Sequence, residues 1–198
     1  MIASLIAFDT ETTGFNPRGD SLIEIGAVRF GLDGQVHEQW QTFANPGAPL
    51  SSRIRELTGI EDAMLHGAPS PIDAVRAFLG WAGSGVVYLA HNADFDVRFL
   101  NACFLQAGEF APSMPVIDTL PWARAQGWPV PDHKLGTLLR HVGHQCEGLH
   151  RALADADGVR ALTTTLLRAE RDPAAAVLKR LASARLPTPK TAFDSPTV

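Results

Sequence analysis

Ile6-Ala7-Phe8-Asp9-Thr10-Glu11-Thr12-Thr13-Gly14 is the stretch on which both fold and chemistry turn. It reads as an apolar strand that ends in two carboxylates, followed by hydroxyls and a glycine turn. Alternate residues of a strand share a face, so Asp9 and Glu11 point the same way. Two like charges so placed repel each other. A hard divalent cation between them relieves this, because Mg²⁺ prefers carboxylate and water oxygens. Thr10, Thr12, Thr13 and Gly14 add hydroxyls and backbone N–H groups where an anionic substrate can approach. A solvated strand end entering a polar turn would carry the same letters, so the rest of the chain has to decide.

Outward from this stretch, the pattern predicts a mixed sheet. Leu5–Asp9 reads as a buried strand and Leu22–Phe30 as a second. The link between them is short, turn-rich and without helical periodicity, so the two pair antiparallel. Asp33-Gly34 marks a hairpin turn into a third, more exposed strand, Val36–Phe43. Ser51 or Ser52 can cap a short helix through Leu57, and another short helix begins at Ile60-Glu61-Asp62. Ser70 and Pro71 open a helix to Trp81. The unbroken apolar run Val86–Ala90 is a strand buried on both faces. A helix follows over about Ala93–Ala107, then a short strand Pro115–Ile117. Asp118-Thr119 can cap the next helix, and further helices are predicted over Leu135–Val142, Arg151–Ala169 and Pro173–Arg185. Three antiparallel strands followed by helix–strand–helix–strand imply an α/β fold with helices covering the sheet.

At 198 residues, one domain over 1–185 and a polar, proline-bearing flexible tail over 186–198 are expected. The net charge of −4 excludes a passive nucleic-acid coat protein, but not an enzyme whose own metal ions offset its acids. Cys103 and Cys146 lack metal-site spacing and read as free thiols of a reducing cytoplasm. The start of the chain shows neither a basic leader nor an apolar span, which fits a cytoplasmic protein.

Two further acidic groups extend the site. His91-Asn92-Ala93-Asp94-Phe95-Asp96 follows a strand and opens a helix. One of its aspartates can simply cap that helix, but this explains one of the pair and not both. In Leu149-His150-Arg151-Ala152-Leu153-Ala154-Asp155-Ala156-Asp157, the buried helical stripe is Ala152, Ala156, Val159, Leu162 and Leu166. At about 100° per residue, Asp155 lies about 60° from Ala152 and faces inward, whereas Asp157 lies about 140° away, as a surface charge. His150, five residues before Asp155, sits on the preceding loop, free to swing over a site that Asp155 lines. Asp118 is the competing carboxylate, and its Asp-Thr context suits a helix cap. Asp9, Glu11, Asp96 and Asp155 with His150 fit one chemistry: two divalent ions on a phosphodiester, and a histidine that takes a proton from the attacking water.

With FDTETTG, HNADFD and HRALAD in view, the chain resembles the DnaQ-like 3′→5′ exonucleases, in their histidine-bearing (DEDDh) branch. LIEIGAV, LTGIEDAML and VIDTL support the resemblance, which covers roughly residues 4–168. The form DTETTG is more similar to the proofreading epsilon subunit of bacterial DNA polymerase III than to the ribonuclease T or oligoribonuclease branches. The resemblance implies a ribonuclease H-like fold with a five-stranded mixed sheet. It implies two Mg²⁺ or Mn²⁺ ions on Asp9, Glu11, Asp96 and Asp155, His150 as general base, and nucleoside 5′-monophosphates as products. Thr12 and the segment Leu57–Ile60 then contact the terminal nucleotide, with Thr10 and Asn92 beside it. For His91 and Asn92 a structural role is equally open. Asp94 stands where the family commonly has a small polar residue.

Single-stranded DNA 3′ ends are the expected substrate, and RNA 3′ ends the alternative, since short motifs do not reveal contacts to the 2′ position. A third reading is a subunit docked on a DNA polymerase through residues 187–198. A phosphatase with Asp9 as nucleophile would want an aspartate where Glu11 stands.

Overall fold

The computed structural model describes residues 4–145 and 150–183. The expected tail over 186–198, the domain boundary before it and Cys146 lie outside the described residues. Five strands form one mixed sheet, β1 (Ser4–Thr12), β2 (Leu22–Phe30), β3 (Val36–Phe43), β4 (Val86–Ala90) and β5 (Val116–Asp118), in the order β3-β2-β1-β4-β5. β1 pairs antiparallel with β2, and β2 antiparallel with β3. β1 pairs parallel with β4, and β4 parallel with β5. The helices are α1 (Ser52–Thr58), α2 (Asp62–Leu65), α3 (Pro71–Ala82), α4 (Asp94–Gln106), α5 (Thr119–Arg124), α6 (Leu135–His141), α7 (Ala152–Arg168) and α8 (Pro173–Ser183).

Two apolar layers sandwich β1 because its run Leu5-Ile6-Ala7-Phe8 has no polar face to give to water. Ile6 and Phe8 pack with Val75 and Phe78 of α3 and Val97 and Leu100 of α4. Leu5 and Ala7 face the other way, against Val159, Leu162 and Leu166 of α7. Cys103 is a buried free thiol in the first layer. A smaller cluster of Ile23, Leu50, Ile54, Ile60 and Leu65 holds α1 and α2 against the sheet. Local caps fix the helix starts: the Ser51 hydroxyl accepts from Ile54 N–H, and Ser70 does the same for Asp73 ahead of Pro71.

Two boundaries differ from expectation for reasons of pairing. β1 runs on through Glu11 to Thr12, because β2 continues opposite it, with Glu11 facing Glu24, and the ladder slips only between Glu11 and Thr12. The carboxylates therefore lie within a rigid strand rather than beyond its end. β5 is displaced by one residue, to Val116–Asp118. Pro115 has no N–H for the ladder and contributes only its carbonyl, which accepts from Tyr88 N–H at 3.0 Å.

α7 rests directly on β2 at Gly26. A Cβ there would collide with the backbone of Ala152 and Leu153, which no rotamer can relieve. We expect Gly26→Ala to lower the melting temperature by about 2–12 °C, from an overpacking cost of ~1–3 kcal/mol. Gly80→Ala, in α3 with open space around the new methyl, should leave it unchanged or higher. Thermal melts of the two variants check this.

Candidate active site

The site forms where β1 outruns β4. The parallel pairing of β1 with β4 extends only from Ser4 to Ala7. Beyond it the β4-side edge of β1 needs another partner, and α4 supplies one. The Asp96 carboxylate accepts from Thr10 N–H at 3.0 Å and from the Thr10 hydroxyl at 2.7 Å, on the same oxygen. Asp96 is buried, and its acceptor role replaces the missing strand. On the α7 face of β1, Asp9 and Glu11 meet Asp155 from the first turn of α7. One oxygen from each of these three lies within 4.8 Å of the others.

So many acids in one half-buried place cannot all ionise freely. Burial, then repulsion from Asp96, Asp155, Glu11 and Glu24, pushes the Asp9 carboxyl well above the usual range. Burial and repulsion from Asp155, Glu24 and Asp96 push Glu11 up to about 8. Burial raises Asp96 to about 7, against the pull of its Thr10 hydrogen bonds. Asp155 is raised by burial and held back by the N–H of His150. Such a cluster binds protons or cations, and Asp9, Glu11 and Asp155 are placed to hold a divalent ion.

His150 stands just before α7, exposed to solvent, and its backbone N–H donates to Asp155 at 3.0 Å. Its φ of +73° is rare for a residue with a side chain. The structure thus puts the histidine on the loop beside the inward aspartate.

The remaining candidates separate by burial. Thr10 is buried with its hydroxyl committed to Asp96, so it holds that carboxylate in place rather than facing a substrate. Thr12 donates its hydroxyl to Gly14 O at 2.6 Å and shapes the turn after β1. Leu57 is 46% exposed, but Ile60 is fully buried in the α1–α2 cluster and offers no surface to a ligand. Asn92 has φ +64°, and its N–H donates to Asp118. Asp118 also accepts from Leu120 N–H, as the expected cap of α5. His91 is a strut: Nε2 lies 2.8 Å from the His133 carbonyl and Nδ1 2.9 Å from the Thr119 hydroxyl. A carbonyl only accepts, so Nε2 carries the proton, and burial lowers the imidazole pKa. Asp94 is an exposed residue near Arg98. Asp157 is not a free surface charge; it is half-buried and ion-paired with Arg160, with His144 Nε2 3.5 Å away.

Two residues near the site were not singled out from the sequence. Glu24 of β2 is wholly buried and bound by Arg151. A lone carboxylate inside the apolar run LIEIGAV was the available signal, since a buried charge demands a partner. Phe15, 77% exposed, follows the β1 turn and is backed edge-on by Phe95 at 6.2 Å.

Residues 6–162 match the family model described as exonuclease, RNase_T. The "DNA polymerase III PolC-type" of Bacillus subtilis (strain 168) is 38% identical over 164 residues, 82% of this chain but 11% of that protein. The chain therefore spans about a tenth of the length of the curated relatives it matches. Among solved structures, exonuclease X in complex with 5′ overhanging duplex DNA superposes with a TM-score of 0.66 at 27% identity, covering 83% of this chain and 91% of that one. The nuclease domain of 3′hExo, described as a DEDDh family member bound to rAMP, gives 0.71 at 19% identity, over 83% and 92%. The sheet order and its flanking helices are those of the ribonuclease H-like exonucleases.

The raised carboxyls fix a pH dependence. Without a divalent cation, these carboxyls bind more protons in the folded chain than in the unfolded one between about pH 4 and pH 8, so their contribution to stability falls as pH rises through that window. In chelator, the melting temperature should be lower at pH 8 than at pH 5.5, and Mn²⁺ should restore it most at pH 8. Glu11→Gln should raise the chelator value at pH 8 by about 3 °C or more. A pH-independent melt in chelator would mean that the cluster ionises without penalty.

Proposed function

We propose that this chain, which belongs to the exonuclease family, is a 3′→5′ exonuclease of the DEDDh type that removes nucleotides from 3′ ends of single-stranded DNA. The observation that carries this reading is the convergence of Asp9, Glu11 and Asp155 within 4.8 Å, with His150 tied to Asp155. Asp9, Glu11, Asp96 and Asp155 would hold two divalent ions, Mg²⁺ or Mn²⁺. Their donor set is all carboxylate, which suits hard cations. When bound, the pair supplies an activated water and charge stabilisation for the leaving oxygen. His150 takes the proton of the attacking water as general base, an exposed imidazole on a loop that can reach over the site. The water oxygen bonds to phosphorus, the bond to the 3′ oxygen of the preceding nucleotide breaks, and a nucleoside 5′-monophosphate leaves. Thr10 keeps Asp96 in line. Thr12 and the exposed Leu57 border the terminal nucleotide, with Asn92 further out.

RNA 3′ ends are the second reading, favoured by the similarity to a nuclease domain bound to rAMP. A third concerns context. The relatives are named as polymerases, so a DNA polymerase partner is proposed, with residues 186–198 as the docking segment. No helix among the described residues is long and apolar enough to cross a membrane. A cytoplasmic place of action belongs to the same proposal and rests on the nucleic-acid substrate.

The test uses 5′-labelled DNA and RNA oligomers of one sequence, with Mg²⁺, Mn²⁺ or chelator. We expect a metal-dependent ladder shortening from the 3′ end, faster on DNA. His150→Ala should lower the rate about 10²–10⁴-fold, and Asp9→Asn should abolish it. A faster ladder on RNA would move the assignment to 3′-end trimming. Activity that emerges only with a polymerase present, and is lost on removing residues 186–198, would establish the docked subunit.

A further inference from the structure

We propose that Glu24 is a positioning residue of this site: by gripping Arg151 and the first turn of α7, it sets where His150 and Asp155 stand against Glu11. The inference rests on the general-base reading of His150. Glu11, Glu24 and Phe43 lie side by side across β1, β2 and β3. Arg151 reaches back over this row. Its Nη2 donates to Glu24 Oε1 at 2.8 Å and its Nε lies 3.2 Å from Oε2, while its guanidinium sits 5.5 Å over the Phe43 ring. The second carboxylate oxygen also accepts from Ala152 N–H at 3.0 Å, and the Gln41 amide donates to the first. Both oxygens are thus committed, and every one of these contacts except that of Gln41 goes to the start of α7. Two residues along β2, Gly26 receives the backbone of Ala152 and Leu153. The helix start can neither slide along β2 nor lift from it.

The catalytic pair brackets this clamp. His150 precedes Arg151 directly, and Asp155 follows four residues later, with the His150 N–H bonded to it. A left-handed backbone at a histidine, φ +73° here, is strained and persists only where its surroundings over-determine it. Arg151 on one side and Asp155 on the other provide that constraint. The bidentate grip commits Nε and Nη2 of the guanidinium to Glu24. A buried ion pair is a weak device for stability, because desolvation offsets its attraction. Its use here is to fix a position.

The experiment compares Glu24→Gln, Arg151→Gln, Arg151→Lys, His150→Ala and the double variant Glu24→Gln/His150→Ala. Steady-state kinetics use the labelled DNA oligomer with Mg²⁺, and Mn²⁺ binding is titrated without substrate. Folding is verified by circular dichroism at the assay temperature. Glu24→Gln should lower kcat 30-fold or more with KM within threefold, and weaken Mn²⁺ binding at least fivefold. Arg151→Lys, which keeps the charge but not the fork, should recover at least threefold over Arg151→Gln. The double variant should lose much less than the product of the two single losses, because the part of the Glu24 effect that acts through the imidazole is already gone in His150→Ala. A kcat within threefold of the parent in both Glu24→Gln and Arg151→Gln, or multiplying losses in the double variant, would overturn the proposal. If His150→Ala keeps parental activity, the general-base reading fails instead. The Mn²⁺ titration then decides by itself whether Glu24 places Asp155: fivefold weakening upholds this, and unchanged affinity overturns it.

Discussion

The burial of Asp9, Glu11, Asp96 and Asp155 in one place, with charge repulsion added to it, is the constraint on which the rest of the structure depends. Each would ionise readily in water. Brought together and partly removed from solvent, they hold their protons tightly, and Glu11 does so up to about pH 8. Nothing in that cluster attracts its own members. The fold must hold the acids in place by other means, and the stored repulsion becomes affinity for divalent cations.

Those other means are the two apolar layers and the clamps at the end of β1. Leu5 and Ala7 bind the α7 layer, Ile6 and Phe8 the α3–α4 layer, so β1 is fixed from both sides. Its carboxylates continue the same strand and inherit that rigidity. Asp96 is delivered by α4 at the point where β4 stops, and Thr10 secures it. Asp155 is delivered by α7, whose start is seated on Gly26 and gripped by Glu24. The four acids thus arrive on three rigid elements, two on β1 and one each on α4 and α7, which suits a site that must keep its geometry within a fraction of an ångström.

Much of this was legible without coordinates. The strands Leu22–Phe30, Val36–Phe43 and Val86–Ala90 fall where alternation and apolar runs put them. The inward turn of Asp155 followed from counting residues around one helix, and the antiparallel start of the sheet from one short link. What was not legible involves partners far apart along the chain. Thr10 and Asp96 are 86 residues apart, and Arg151 and Glu24 127. Ile60 belongs to a segment expected to touch the substrate, yet it is drawn into the cluster around Ile23. Asp157 read as a surface charge because helical counting does not see Arg160 and His144 close over it.

The sequence by itself determined the order of elements, the α/β class, and the inward turn of Asp155, because period, capping and turn chemistry are local properties that a short window records. Only the tertiary structure decided that β1 continues through Glu11, that Thr10 serves Asp96 rather than a ligand, and that Glu24 and Gly26 seat the helix bearing Asp155. Those outcomes depend on which surfaces meet once distant segments pack. A hydrogen bond between such segments leaves no periodic mark in either one.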